Sequence, residues 1–264
     1  SASPIVIHEQ CARRSLANTV GARNAGVVAL TFPSTPLSAR SGNTVVTGLP
    51  LRAAIADLAS RRQDAQGAAQ ARREAAERLG VNPDVPTLLV TGGSLGALHV
   101  NESMTGAADA LPEGAQVVHL TGRGKDEPVR AAVEAAGLSD RWHVIDYLTT
   151  MEDALAVADL VVCRSGAGTV AEMEALALPC IYVPLPIGNG EQRLNASDHV
   201  AAGGAQLIDD KDFTADFVRR NVFPLLGSTR LADMAAASQS LGRAGAARAL
   251  ADLALEQVKE GGHE

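Results

Sequence analysis

Glu172 stands one turn inside a helix that opens on a glycine loop, and its carboxylate is the side chain here best placed for chemistry. The stretch Asp159-Leu-Val-Val-Cys163-Arg164-Ser165-Gly166-Ala167-Gly168-Thr169-Val170-Ala171-Glu172 reads as a buried strand, a tight turn and a helix starting at Thr169. The apolar run 160–163 suits a strand covered on both faces. The glycines let a ligand approach the backbone, and the unpaired N–H groups of the first helical turn suit an anion. A carboxylate one turn further in can accept hydrogen bonds from vicinal hydroxyls such as those of a ribose. The same residues allow a plainer account. Thr169-x-x-Glu172 is also a capping box, in which the glutamate only satisfies the helix's own N–H. Gly166-x-Gly168-x-x-Ala171 also fits the loose dinucleotide fingerprint.

Other loops add candidates. Thr91-Gly92-Gly93-Ser94-Leu95-Gly96-Ala97 is a second glycine loop before a helix, where Ser94 and the loop amides could hold a phosphate. Tyr147 and Leu148 could flank a flat base, or simply pack. In Pro184-Leu-Pro186-Ile-Gly188-Asn-Gly190-Glu191-Gln192-Arg193-Leu194-Asn195, the side chains of Glu191, Gln192 and Asn195 could meet hydroxyl groups or cap the helix. Two glycine loops on one edge plus a late polar loop describe a site for a nucleotide diphosphate sugar. An NAD-linked oxidoreductase and a non-catalytic sugar-nucleotide-binding module are the alternatives. No His/Cys/Asp cluster has metal spacing, and neither a Walker loop nor Gly-x-Ser-x-Gly occurs, so neither metal nor cofactor is expected.

The elements that must position these residues follow a regular rhythm. Strands are expected at 87–90, 116–120, 142–145, 160–163, 180–183 and 205–208, with helices at 98–107, 127–136, 151–158, 169–177 and 191–202. Alternation of this kind predicts an α/β fold with a parallel sheet covered on both faces, its ligands beyond the carboxyl ends of the strands. Helices at 215–225, 231–241 and 246–258 close the chain. Ahead of the block come isolated pieces: a strand at 4–7, a polar loop at 8–11, a helix at 15–24, and strands at 27–31 and 43–47. Gly48 and Pro50 mark a boundary, and 64–79 reads as a solvated helix. The 264 residues are 46% hydrophobic with mean hydropathy +0.06, enough for a sizeable core. A net charge of −7 and pI of about 5.4 argue against a nucleic-acid partner. Three cysteines without metal spacing, two of them (Cys163 and Cys180) in apolar runs, fit a reducing compartment. The chain opens at Ser1 almost directly on a strand, so it looks cut from something longer.

The combination of His8-Glu9-Gln10, Gly92-Gly93-Ser94-Leu-Gly96-Ala97, Arg164-Ser-Gly166-Ala-Gly-Thr169-Val-Ala-Glu172 and Gln192-x-x-Asn195-Ala196 resembles the MurG glycosyltransferases, actinobacterial branch, over essentially the whole chain. The resemblance implies a GT-B fold with a complete Rossmann-like donor domain at 48–245 and only the end of the acceptor-side domain at 1–47. A terminal helix at 246–264 would pack back on the latter. It implies inverting, metal-independent transfer of N-acetylglucosamine from UDP-GlcNAc to undecaprenyl-pyrophosphoryl-MurNAc-pentapeptide, in peptidoglycan synthesis at the cytoplasmic face of the plasma membrane. It places the diphosphate and ribose on Ala167, Gly168, Thr169, Val170, Ala171 and Glu172. Ser94 and Arg52 would lie near the diphosphate, Leu148 at uracil, and Gln192 and Glu191 on the sugar. Cys11 replaces the family's asparagine after His-Glu-Gln, and a thiol cannot copy an amide's donor and acceptor pair. His8 and Glu9 are the candidates for acceptor binding or proton transfer. The family's glycine-rich acceptor loop is absent, so this chain alone is expected to bind donor but transfer little.

Overall fold

The computed structural model describes residues 5–93, 97–187 and 189–261. The chain begins with β1 (Val6–Glu9), α1 (Leu16–Gly21), β2 (Val27–Leu30) and β3 (Asn43–Val46), a three-stranded parallel sheet in the order β1-β2-β3. The sequence pattern makes His8 and Glu9 a polar loop, but they belong to β1, in register with Ala29 and Leu30. Pairing overrides the weak strand preference of glutamate. Burying Glu9 costs little because its Oε2 accepts from the Ser15 N–H at 2.7 Å and from Asn18 Nδ2 at 3.0 Å.

α2 (Ala53–Arg61) and α3 (Ala65–Leu79) lead into the second sheet. There β4 (Thr87–Thr91), α4 (Leu98–Thr105), β5 (Gln116–Leu120), α5 (Asp126–Ala135), β6 (Trp142–Ile145), α6 (Met151–Val157), β7 (Leu160–Cys163), α7 (Ala167–Ala175), β8 (Cys180–Tyr182), α8 (Glu191–Asn195), α9 (Ser197–Ala202) and β9 (Ala205–Leu207) alternate. All six strands are parallel, in the order β6-β5-β4-β7-β8-β9. The period of two sorts the core into two layers. Leu89, Val118, Val161 and Tyr182 face one, while Leu88, Val117, Val162 and Ile181 face the other. The chain starts at β4, runs outward through β5 and β6, then returns beside β4 as β7. The switch point therefore lies between the carboxyl ends of β4 and β7.

α10 (Ala215–Phe217), α11 (Thr229–Gln239) and α12 (Ala246–Gly261) complete the fold. The helix expected over 215–225 passes instead from one α-turn into a π-turn and a 3-10 turn, because Pro224 lacks the N–H that a longer α-helix would need. The helix expected over 191–202 breaks at Ala196, where the Ser197 hydroxyl donates to Leu194 O at 2.7 Å. α12 packs back against β1 and β2. Gly48 forms the joint between the sheets: its φ is +83°, and a Cβ there would stand 2.9 Å from that of Arg243.

Candidate functional site

Four of the loops at the carboxyl edge of the larger sheet enclose one cavity of about 330 Å³. Thr91 and Gly93 come from β4, Leu120 and Gly122 from β5, Asp146, Tyr147 and Leu148 from β6, and Arg164, Gly168, Thr169 and Glu172 from β7 and α7. The start of the first glycine loop, Thr91–Gly93, and the loop before α7 thus flank the switch point. Ser94 lies outside the described residues.

The start of α7 removes the capping-box account of Glu172. The N-cap is Gly166, with φ −62° and ψ 150°, and the helix begins at Ala167. Thr169 is its third residue, so the capping box does not form. Val170 N–H makes the first intrahelical bond, to Gly166 O at 2.9 Å. The preceding amides of Ala167, Gly168 and Thr169 stand before the hydrogen-bonded ladder, where an anion is favoured. A Cβ on Gly168 would meet no atom within 4 Å, so packing against protein does not demand a glycine there. Val170 and Ala171 are buried behind this turn.

Glu172 Oε1 accepts from Arg52 Nε at 3.1 Å and Nη2 at 2.9 Å. Arg52 is 57% exposed and Glu172 16%, so the arginine is free to swing while the carboxylate stays fixed in the wall. Among the described residues Oε2 has no partner. At the far end Leu148 packs on the core beside Tyr147, and Arg123 lies 3.9 Å over the Tyr147 ring. Asp146 Oδ1 accepts from Gly124 N–H at 2.7 Å, tying that loop to its neighbour. A buried chain supports it from below. Trp142 Nε1 donates to His119 Nδ1, His119 Nε2 donates to Asn101 Oδ1, and Asn101 Nδ2 donates to Thr121 O. Burial pushes the His119 imidazole down to about 3, which keeps it neutral in this chain.

The other candidate residues surround the rim rather than line the cavity. Gln192 Oε1 accepts from the Ser165 and Leu185 N–H groups, at 3.3 and 2.9 Å. Glu191 Oε1 accepts from Cys11 Sγ at 3.3 Å. Burial and this carboxylate push the Cys11 thiol up to about 12, so it is a hydrogen-bond donor and not a nucleophile at neutral pH. His8 Nε2 lies 3.0 Å from Gly48 O and 3.4 Å from Thr31 Oγ1. A carbonyl only accepts, so Nε2 carries the proton and Nδ1 is the basic nitrogen.

Asn195, which the sequence offers to hydroxyl groups or to helix capping, emerges instead as a link between loops. It is fully buried, accepts from Ala12 N–H at 2.9 Å and donates to Ser165 O at 3.2 Å. One amide thereby ties the loop after β1 to the loop before α7. Ser34 adds a second tie, its hydroxyl donating to Asp198 Oδ2 at 2.9 Å. Asn195→Ala leaves a buried donor and a buried acceptor unpaired and should cost about 3 kcal/mol. Denaturant unfolding checks this, and an unchanged midpoint would show that the tie is energetically idle.

Comparisons with known proteins agree with this geometry. Residues 87–251 match the Glycosyltransferase family 28 C-terminal domain. The UDP-N-acetylglucosamine--N-acetylmuramyl-(pentapeptide) pyrophosphoryl-undecaprenol N-acetylglucosamine transferase of Bifidobacterium longum is 47% identical over 94% of this chain and 66% of that protein. The protein of the same description from Streptomyces coelicolor is 42% identical, over 97% of this chain and 66% of its own length. The crystal structure of Acinetobacter baumannii MurG superimposes with a TM-score of 0.73 at 27% identity, covering 95% of this chain and 65% of that one. The chain thus spans just under two thirds of the length of these relatives. A parallel sheet with a glycine-lined cleft at its switch point, set against a second parallel sheet, is a glycosyltransferase fold of the GT-B type. The chain belongs to glycosyltransferase family 28, whose C-terminal domain it contains. That membership removes the NAD-linked reading, which rested on the loose fingerprint at Gly166.

Proposed function

We propose that the cavity at the β4–β7 switch point binds UDP-N-acetylglucosamine as donor. The acceptor is the lipid-linked N-acetylmuramyl pentapeptide named in the relatives' descriptions, undecaprenyl-pyrophosphoryl-MurNAc-pentapeptide. The observation that carries the reading is the pairing of two glycine loops across one crevice with a fixed carboxylate one turn inside α7. In this assignment the amides of Ala167, Gly168 and Thr169, with Arg52, hold the diphosphate. Glu172 accepts from the ribose hydroxyls, and uracil sits against Leu148. Glu191 and Gln192 lie towards the sugar, with Cys11 supporting Glu191.

Transfer then follows by direct displacement. The acceptor hydroxyl oxygen attacks the anomeric carbon, the bond from that carbon to the diphosphate oxygen breaks, and its electron pair leaves with UDP. Configuration inverts. The start of α7 and Arg52 stabilise the charge that develops on the leaving group, as fixed donors do. The hydroxyl proton must go to a base, and His8 Nδ1 is the candidate on this chain. We assign Glu9 a positioning role, since its carboxylate is spent on Ser15 and Asn18. Residues up to 47 form the acceptor-side unit, 48–245 the donor unit, and 246–264 the closing segment, whose helix Ala246–Gly261 returns to the first. Work on a lipid-linked acceptor places the reaction at the cytoplasmic membrane surface. Peripheral attachment is part of the same proposal; among the described residues no helix is long and apolar enough to cross a membrane.

Calorimetric titration tests the donor assignment. UDP-GlcNAc and UDP should both bind with one-to-one stoichiometry, and NAD should not. Absence of heat at millimolar UDP-GlcNAc would refute it. Assay of the same chain with the lipid acceptor should show little or no transfer, and rapid turnover would show that the acceptor site is complete here.

A further inference from the structure

The larger sheet has a second cavity at its opposite, amino-terminal edge, of about 480 Å³. Arg62, Arg72, Asp159, Ala177, Pro179 and Ser228 form its walls. The two arginines differ in how they are used. Arg72 is fully committed: Nε donates to Pro83 O at 2.7 Å, Nη1 and Nη2 each reach Asp159 at 2.9 Å, and Nη2 also donates to Val85 O at 2.8 Å. Arg62 spends only Nε, on Leu176 O at 3.0 Å. Among the described residues its two terminal nitrogens have no hydrogen-bond partner, and it forms no salt bridge. Burial is the main influence on this guanidinium and holds its pKa below the usual range; Asp159 offsets part of the effect and Arg72 adds to it. Arg62 is only partly buried, so its unspent terminal donors are open to the cavity, where the anionic oxygens of a ligand can accept from them.

We propose that this amino-edge cavity is a binding site for the phosphate group of a small molecule, held by the terminal nitrogens of Arg62. The guanidinium fork matches the oxygens of a phosphate. Pro83, Pro86 and Leu231 supply an apolar wall for the carbon part of an ester. The site lies roughly 15 Å from the switch-point cavity, the length of a four- or five-residue strand. Two helices connect them. α2 has Arg52 as N-cap and Arg62 as C-cap. α7 presents Glu172 to the first cavity and has Leu176 as its C-cap. The pairs Arg52–Glu172 and Arg62–Leu176 thus latch the same two helices at both ends.

The test is a titration of the whole chain with inorganic phosphate at constant ionic strength, followed by amide NMR shifts, and it does not depend on the donor assignment. Saturable shifts are expected at Leu176, Ala177 and Leu178. They should disappear in Arg62→Met, while Arg62→Lys should weaken binding about tenfold, because an ammonium cannot reproduce the fork. Should Arg62→Met fail to fold, Ala232→Glu carries the test. That residue is exposed at the cavity wall, and the added carboxylate should weaken phosphate binding at least about tenfold by like-charge repulsion. Shifts confined to Gly93, Gly168 and Thr169, or shifts at 176–178 that survive Arg62→Met or Ala232→Glu, would overturn the proposal.

Discussion

Replacing Glu172 with alanine is expected to lower affinity for UDP-GlcNAc about a hundredfold with little change in folding. Two hydroxyl hydrogen bonds to a carboxylate are each worth about 1.5 kcal/mol or more, together about 3 kcal/mol. The stability effect is small because the partner, Arg52, is 57% exposed, and a pair of that kind contributes about 0–1 kcal/mol. Titration calorimetry and thermal melting on the same samples separate the two quantities. A Glu172→Gln protein should fall between, since its amide oxygen still accepts but carries no charge. Equal affinity in parent and alanine variant would remove Glu172 from the site.

Glu174, half a turn further along α7, should make the protein less stable as pH rises. Burial, reinforced by Asp198 and opposed by Arg243, raises its carboxyl from 4.5 to about 8, and its buried Oε1 has no partner among the described residues. Between those values the folded state holds a proton that the unfolded chain has released. The slope of unfolding free energy with pH is therefore negative. The contribution is fully present below about pH 4.5 and is lost as pH passes through about 8. A shift of that size corresponds to roughly 5 kcal/mol. Glu174→Gln stays neutral throughout, so the variant should gain on the parent as pH climbs from 5 to 9. His119 and His199 shift the opposite way, to about 3 and 4, and their part is lost as pH falls below the ordinary histidine range. They cancel in the difference between variant and parent. Parallel denaturation curves for the two proteins across that range would show that Glu174 is charged in the native state.

The site was legible wherever neighbours in sequence are neighbours in space. The strand 160–163, the turn after it and the carboxylate one turn on form a local unit, so Gly168, Thr169 and Glu172 could be placed from the chain alone. The start of α7 was misplaced by two residues because Gly166 gives no side-chain signal of an N-cap. β1 was read too early because the partner that extends it, β2, lies about twenty residues away. Asn195 was offered to hydroxyl groups or helix capping because neither Ala12 nor Ser165, which it joins, is near it in sequence.

Apolar periodicity determined the α/β class and the six strands of the larger sheet, and residue type alone marked the glycine loops, since each depends on contacts within one strand, turn or helix. Only the tertiary structure decided that β7 returns beside β4 and brings both glycine loops to one crevice. It also decided that Arg52 reaches Glu172 across 120 positions of chain, and that a second arginine is left with unspent donors at the opposite edge. Those outcomes depend on which strands pair and which helices pack, and such long-range choices leave no mark in any short stretch of residues.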